Sequence, residues 1–311
     1  MKVEFDLMTG SSTWTNAGEL ARTVEDQGFS GMLYTETGQV PWMQIAAAAM
    51  AAPSLTFTTG IAVAFPRSPM VSAQVAWELA GETKGKFRLG LGSQVKGHVV
   101  RRYSSDFDRP ARRLLDYVRA VKACFKAFRG EERLNHEGDF YNLSLLPDAW
   151  KPRSHDFGEI KVDISSVGPL MNSVAGQIAD GVHVHPMHSM HYIENRLLPE
   201  IEQGAQLAGR ESSDVDLIVP VFAVAGDTAE ERAPWVHRAK TQIAFYGTTP
   251  NYSFQFEDLG FEGVTTALRD KMGAGDLQGM ADTISDDMLD HFALVSTWNE
   301  MADRLKDRYE G

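Results

Sequence analysis

The sequence predicts an α/β protein built as a TIM-type (β/α)8 barrel, and three observations carry that prediction. Apolar runs too short for helices alternate with amphipathic stretches along nearly the whole chain. The segment 59–94, TGIAVAFPRSPMVSAQVAWELAGETKGKFRLGLGSQ with its flanking glycines, spells a strand, a helix and a second strand with punctuation at every joint. Such units recur seven or eight times, which favours a closed parallel barrel over an open doubly wound sheet.

The elements follow in order. Val3 to Leu7 reads as the first strand, Thr15 or Asn16 with Glu19 starts a helix that ends near Gly28, and Gly31 to Thr35 is the next strand. Pro41 to Met50 is helical. Phe57 to Ala64 is an almost unbroken apolar run, as expected of a strand buried on both faces of a parallel sheet. Ser68 and Pro69 then open a helix, since a serine hydroxyl caps free backbone donors and proline lacks only a donor that would go unused there. Phe87 to Leu91 begins a buried strand ending in Gly90, Gly92 and Ser93, a small-residue end on which a flat ligand can lie. Arg109 to Phe128 is a long amphipathic helix with Leu114, Val118, Val121, Phe125 and Phe128 on one face. Residues 131–160 break the rhythm as an excursion, with a hairpin around His136 to Leu143. Lys161 to Ser165, Val182 to His185 and Leu217 to Ala225 resume the strands, so residues 1–311 read as one barrel domain.

Composition bounds the function. The 311 residues are 43% hydrophobic and 23% charged, ordinary for a globular enzyme. A net charge of -12 argues against nucleic acid as partner, because phosphate contacts need clustered cations. The amino-terminal MKVEFDLMTG lacks an apolar core of signal-peptide length, and no segment approaches a membrane span, so a cytoplasmic protein without membrane contacts is expected. Cys124 lies among apolar residues at helical spacing and reads as core.

In a barrel, function sits at the carboxyl ends of the strands. The residues expected there are Asp6 and Met8, Glu36 and Trp42, Ala62 to Phe65, Ser93, Gln94 and His98, Ser165 to Gly168, and His183 and His185. No nucleophile, base and orienter set stands out among them, which suits an organic cofactor that brings its own chemistry. The stretch VHVHPMHSMH offers a rival reading as a metal site of a hydrolase, through His183, His185, His188 and His191. Against it, no carboxylates join the histidines and Pro186 turns the chain between the pairs, so no metal is assigned.

The runs TGIAVAFPRSP, KFRLGLGSQVKGHVVRRY and VAGQIADGVHVHP together resemble the luciferase-like monooxygenase superfamily, in particular its coenzyme F-420 (deazaflavin) subgroup. The resemblance covers nearly the whole chain. It implies a flavin or deazaflavin ring held in the barrel mouth, supported by a backbone bulge, often a non-proline cis peptide, at Gly60, Ile61, Ala62 and Val63. It implies that Gly92, Ser93, Gln94 and His98 meet the ring and tail, that Ser165, Ser166 and Gly168 approach a phosphate, and that Trp42, with Asp6, Phe65 and His183, lines the substrate side. Hydride transfer between F-420, or alternatively FMN, and a small organic substrate is the implied reaction, with Glu36, His98 or His185 offering a proton; each has a plainer reading, as when Glu36 only pairs with a neighbouring base. An FMN monooxygenase and a non-catalytic flavin-binding relative are the alternatives. Relatives are commonly dimers, so a homodimer is expected. Gly38 and Val95 stand where the sugar-phosphate dehydrogenases of this group carry a histidine and a glutamate, which argues against a sugar-phosphate substrate, and Leu170 stands where relatives often carry a basic residue, which weakens the phosphate assignment. The place of the helix at Thr297 to Arg308 implies that the last barrel strand is missing, unless Phe292 to Val295 supplies it.

Overall fold

The computed structural model describes residues 3–309. They form two compact units.

The first unit comprises the chain up to Ser166 with Leu170–His183 and Ile201–Ile218. Its strands are β1 (Asp6–Thr9), β2 (Gly31–Tyr34), β3 (Thr56–Thr59), β4 (Ala62–Val63), β5 (Phe87–Gly92), a hairpin of β6 (His136–Glu137) and β7 (Asn142–Leu143), then β8 (Lys161–Ser166), β9 (Gly181–Val184) and β10 (Asp216–Ile218). The main sheet runs β1-β2-β3-β5-β8-β9-β10 with β4 also on β5. The pairings of β1 with β2, β2 with β3, β3, β4 and β8 with β5, and β9 with β10 are parallel, which requires a crossover between neighbours. Helices Trp14–Asp26, Trp42–Ala51 and Pro69–Glu82 supply the first crossovers, and the Ser68 hydroxyl caps the third by accepting from the Met70 N–H at 3.2 Å. This is the α/β architecture with a parallel sheet that the sequence predicts.

Leu89, Leu91, Val162, Ile164 and Val182 are fully buried, each side chain worth about 1.5–3 kcal/mol on burial. The long helix Pro110–Arg129 buries Leu114, Val118, Val121, Cys124 and Phe125, and Phe128 packs edge-on against Trp77 at 5.4 Å. Burial pushes the Cys124 thiol up to about 12, so it stays protonated and serves as packing. The hairpin is pinned to this helix by Asp116, whose carboxylate accepts from the Phe140 and Tyr141 N–H groups at 2.7 and 3.1 Å and contacts His136 Nε2 at 2.8 Å.

The second unit comprises Val167–Pro169, Val184–Glu200 and the chain from Val219. Strands β11 (Phe222–Ala225) and β12 (Ala293–Ser296) pair in parallel, with Phe222 opposite Ala293. The 19-residue helix Ala229–Gly247 begins in a capping box of Thr228 and Glu231. Its core gathers Met187, Val224, Ile243, Phe256, Leu268 and Phe292. No helix among the described residues is long and apolar enough to cross a membrane.

Four boundaries differ from the sequence expectation. The first strand is Asp6–Thr9, because its partner strand begins only at Gly31 and parallel pairing fixes Asp6 opposite it. The apolar run 57–64 splits into β3 and β4 at Gly60, and the run 217–225 splits into β10 and β11, with Pro220, which lacks a backbone donor, in the gap. The helix Trp298–Tyr309 follows the stretch 293–296, which forms β12 and pairs with β11, outside the main sheet. That pairing is what the short run ALVS could not announce alone.

Alanine in place of Asp116 should cost about 1–3 kcal/mol in urea unfolding and speed amide exchange at Phe140 and Tyr141. Unchanged exchange there contradicts the pinning.

Candidate cofactor site

Alternate residues of a strand face one side of a sheet, and three layers of such residues stack along β5. In the lowest, Arg88 pairs with Asp163 at 2.7 and 2.8 Å and with Asp216 at 2.8 Å. A Cβ on Gly181 would lie 2.5 Å from Asp163 Oδ1, so this position admits only glycine without a shift. In the middle layer, a Cβ on Gly90 would lie 1.8 Å from the Thr59 carbonyl and 2.4 Å from His183 Nε2. The Thr59 hydroxyl donates to the Gly90 carbonyl at 2.7 Å and accepts its N–H at 2.9 Å. In the top layer, a Cβ on Gly92 would meet Ile61 Cδ1 and Ser165 Oγ, both at 2.6 Å. The small residues of β5 thus make room for His183, Ile61 and Ser165.

Above this stack the Gly60–Ile61 peptide is cis. A Cβ on Gly60 would fall 2.0 Å from Leu33 Cδ2, so a side chain has no space there. The next residues, Ala62 and Val63, rejoin β5 opposite Leu91 and Gly92. Glu36, just beyond β2, accepts the Val63 N–H at 2.8 Å, and its carboxylate takes both arms of Arg67 at 2.6 and 2.8 Å. Arg67 also donates to the Val63 carbonyl at 2.7 Å. One ion pair therefore holds both backbone polar groups of Val63. Burial opposes the charge on Arg67, but hydrogen bonding and attraction from Glu36 outweigh it and raise its pKa. The Glu36 side chain is 2% exposed, so removing Arg67 would strand a buried charge at a cost of about 3–5 kcal/mol. The Tyr103 hydroxyl donates to Glu36 Oε1 at 3.4 Å. Of the three groups expected to offer a proton, Glu36 is thus engaged by three donor residues.

Around this clamp lie Trp42, with the Arg67 guanidinium 5.8 Å from its ring centre, and Phe65, edge-on to Phe107 at 6.0 Å. Arg113 covers the Phe65 ring at 5.0 Å and is fixed by Tyr141 and the Asp106 carbonyl. Beyond β5, Gln94 takes φ of +57° and its side chain accepts the Val95 N–H at 2.9 Å, while the Ser93 hydroxyl donates to the Gln94 carbonyl at 3.3 Å. His98 is exposed on the short helix Lys96–Arg101. Ser166, at the end of β8, is buried and its hydroxyl has no partner among the described residues. Gly168 belongs to the second unit, with open space where a side chain would stand. Asp6 is a correction: it opens β1 at the amino end of the sheet, beside Gly31, and not at the carboxyl end.

The histidines do not assemble. His183 is buried in the first unit, 4.0 Å from Asp163 Oδ2. In the second unit His185 packs on Tyr246 and Tyr252 at 4.7 and 4.6 Å and accepts from the Met187 N–H, while His188 bonds the His185 carbonyl and Tyr309. Among the described residues no group of three or more histidines, cysteines or carboxylates is placed to hold a metal. Arg67, Thr59 and Leu33 escaped the sequence reading; the cation in TGIAVAFPRSP beside an isolated Glu36 was the available signal for the first.

The family model for luciferase-like monooxygenases matches residues 2–311. The chain belongs to that family. The uncharacterised protein Rv1360 of Mycobacterium tuberculosis is 33% identical over 95% of this chain and 87% of its own length. The coenzyme F-420-dependent tetrahydromethanopterin reductase of Methanopyrus kandleri shares the fold with a TM-score of 0.82 at 19% identity, covering 100% of this chain and 91% of that one. An F-420-dependent secondary alcohol dehydrogenase in complex with an F-420-acetone adduct gives 0.75 at 17%, covering 100% and 90%. A riboflavin lyase with modified FMN gives 0.73 at 13%, covering 100% and 85%. These neighbours carry the TIM-barrel-type fold of the family. The chain is thus a luciferase-like oxidoreductase or monooxygenase, and the solved structures similar to it include F-420-dependent enzymes and proteins determined with FMN.

Burial holds His183, His185 and His188 down to about 4, so all three are neutral near pH 7. Unfolded imidazoles titrate near 6.5 and bind protons first as the pH falls. The stability these groups contribute is therefore complete above about pH 6.5 and is lost on acidification toward about pH 4. The thermal midpoint should fall across that window; a flat profile between ~6.5 and ~4.5 contradicts the buried neutral assignment.

Proposed function

We propose that this family member transfers a hydride between coenzyme F-420 and a small organic substrate, with the ring seated on the Gly60–Val63 segment. The observation that carries this reading is the double hold on Val63 by Glu36 and Arg67, which fixes the backbone of the segment at the carboxyl end of the sheet. The residues fit such a group. Ala62 and Val63 are buried and apolar, Trp42 and Phe65 add aromatic faces, and the unpartnered Ser166 hydroxyl waits at a strand end where an anionic side chain would need donors. When bound, the deazaflavin supplies two electrons and a hydrogen at its C5 position.

The chain's own residues do the rest. Gly92, Ser93 and Gln94 form the turn that meets the ring edge, and Ser165 and Ser166 take the phosphate. Trp42 and Phe65 exclude water from the substrate side, and Arg113 keeps the Phe65 ring in place. Reduction of a carbonyl or imine also needs a proton on the heteroatom. His98, which is exposed, and Tyr103, whose hydroxyl donates to Glu36, are the candidates to supply it. The neutral buried His183 is not a source. The proposed partner is a second copy of the chain.

Fluorescence titration of the purified protein with F-420 and with FMN tests the reading. Saturable F-420 binding, followed by substrate-dependent oxidation of the reduced cofactor, is the expected result. FMN binding with oxygen-dependent turnover, or no affinity for either ring, contradicts it.

A further inference from the structure

The chain carries a net charge of -12, yet one segment reverses that sign. Between Val95 and Arg113 stand Lys96, Arg101, Arg102, Arg109, Arg112 and Arg113 against only Asp106 and Asp108. Several of these cations are already engaged. Arg102 donates to the Thr37 carbonyl and lies over the Tyr103 ring, Arg109 pairs with Asp108, and Arg113 is held by Tyr141 and Asp106. Arg112, on the helix Pro110–Arg129, is exposed and has no such partner among the described residues, and neither have Lys96 and Arg101. The latter two are exposed on the helix Lys96–Arg101, with no acidic partner among the described residues.

Their position is set by the same contacts that build the site. The segment that carries them leaves the carboxyl end of β5 through the Gln94 turn. It is tied back to the loop after β2 by Arg102 on Thr37 and by Tyr103 on Glu36, and to the residues after β4 by the Ser105 hydroxyl on the Phe65 carbonyl at 3.0 Å. A Cβ on Gly97 would lie 3.3 Å from Arg101 Nη2, so the guanidinium folds back over Gly97 in the first turn of the helix. Two unspent cations and His98 thus stand on the rim of the clamp, in a chain whose overall field repels anions.

The two cofactors differ most in charge on the part away from the ring. FMN ends in one phosphate, whereas F-420 carries a phosphate followed by a chain of carboxylates. We infer, on the reading that the chain holds a flavin or deazaflavin ring, that Lys96 and Arg101 form a cationic rim that takes the carboxylate tail and so selects F-420 over FMN. The rim contributes affinity and leaves hydride transfer itself to the clamp and its aromatic neighbours.

The test is a set of fluorescence titrations with F-420, with the tail-free deazaflavin riboside and with FMN, on the wild-type chain and on a Lys96→Gln/Arg101→Gln double variant. Both positions are exposed, and an unchanged thermal midpoint verifies that the variant is folded. F-420 should bind more tightly than the tail-free riboside and than FMN, and its advantage should shrink as salt rises from ~50 to ~500 mM. The double variant should weaken F-420 by about threefold to twentyfold and leave the riboside within about twofold. Equal affinities for F-420 and the riboside, or F-420 affinity untouched in the variant, would overturn the rim while leaving the ring site standing. Failure of the wild-type chain to bind any of the three ligands would remove the ring site, and the rim with it.

Discussion

The Glu36–Arg67 ion pair is the interaction on which the site depends. A segment that leaves β3 and rejoins the sheet on β5 has backbone groups that the strand ladder cannot satisfy, and buried groups of that kind must find partners elsewhere. At Val63 both are met by one pair of side chains, from the loop after β2 and from the turn before the Pro69–Glu82 helix. The pair is itself nearly buried, so its net contribution to stability is small relative to an apolar substitute. What it gives is geometry: fixed backbone next to Gly92 and Trp42.

The layers beneath explain why that geometry holds. Gly181, Gly90 and Gly92 lie where a side chain would strike Asp163, His183 and Ser165 respectively. The sheet interior is thus filled by charged, then imidazole, then small polar groups, each leaning over a glycine of another strand. The neutral His183 fits this arrangement, since burial disfavours an imidazolium more than the nearby Asp163, itself paired with Arg88, favours one. The active end of the unit stays available because the interior below it is closed by the chain's own side chains.

Much of this was legible in the residues. Parallel strand and helix alternation, the Ser68 and Pro69 cap, the long amphipathic helix and the hairpin all follow from local patterns that tertiary structure preserves. The bulge at Gly60 was visible only through family resemblance, because FTTGIAVAF reads as one strand until the collision with Leu33 is known. Side-chain partners were the least legible part. Nothing local tells that Glu36 meets Arg67, that Asp116 holds the hairpin, or that His185 packs between two tyrosines, since each contact joins residues far apart in the chain. The misplacement of Asp6 has a simpler origin: an isolated edge of a strand gives no register until its partner is known.

The central claim is that the ion pair sets the conformation a ring cofactor needs, and a double-mutant cycle measures it most directly. Glu36→Gln, Arg67→Leu and the combined variant would be titrated with F-420, with folding checked separately by urea unfolding. Each single variant should weaken F-420 by about tenfold or more, and the double variant no more than the weaker single, because either change alone releases Val63. Single variants that remain folded and bind F-420 as tightly as the wild-type chain would contradict the account.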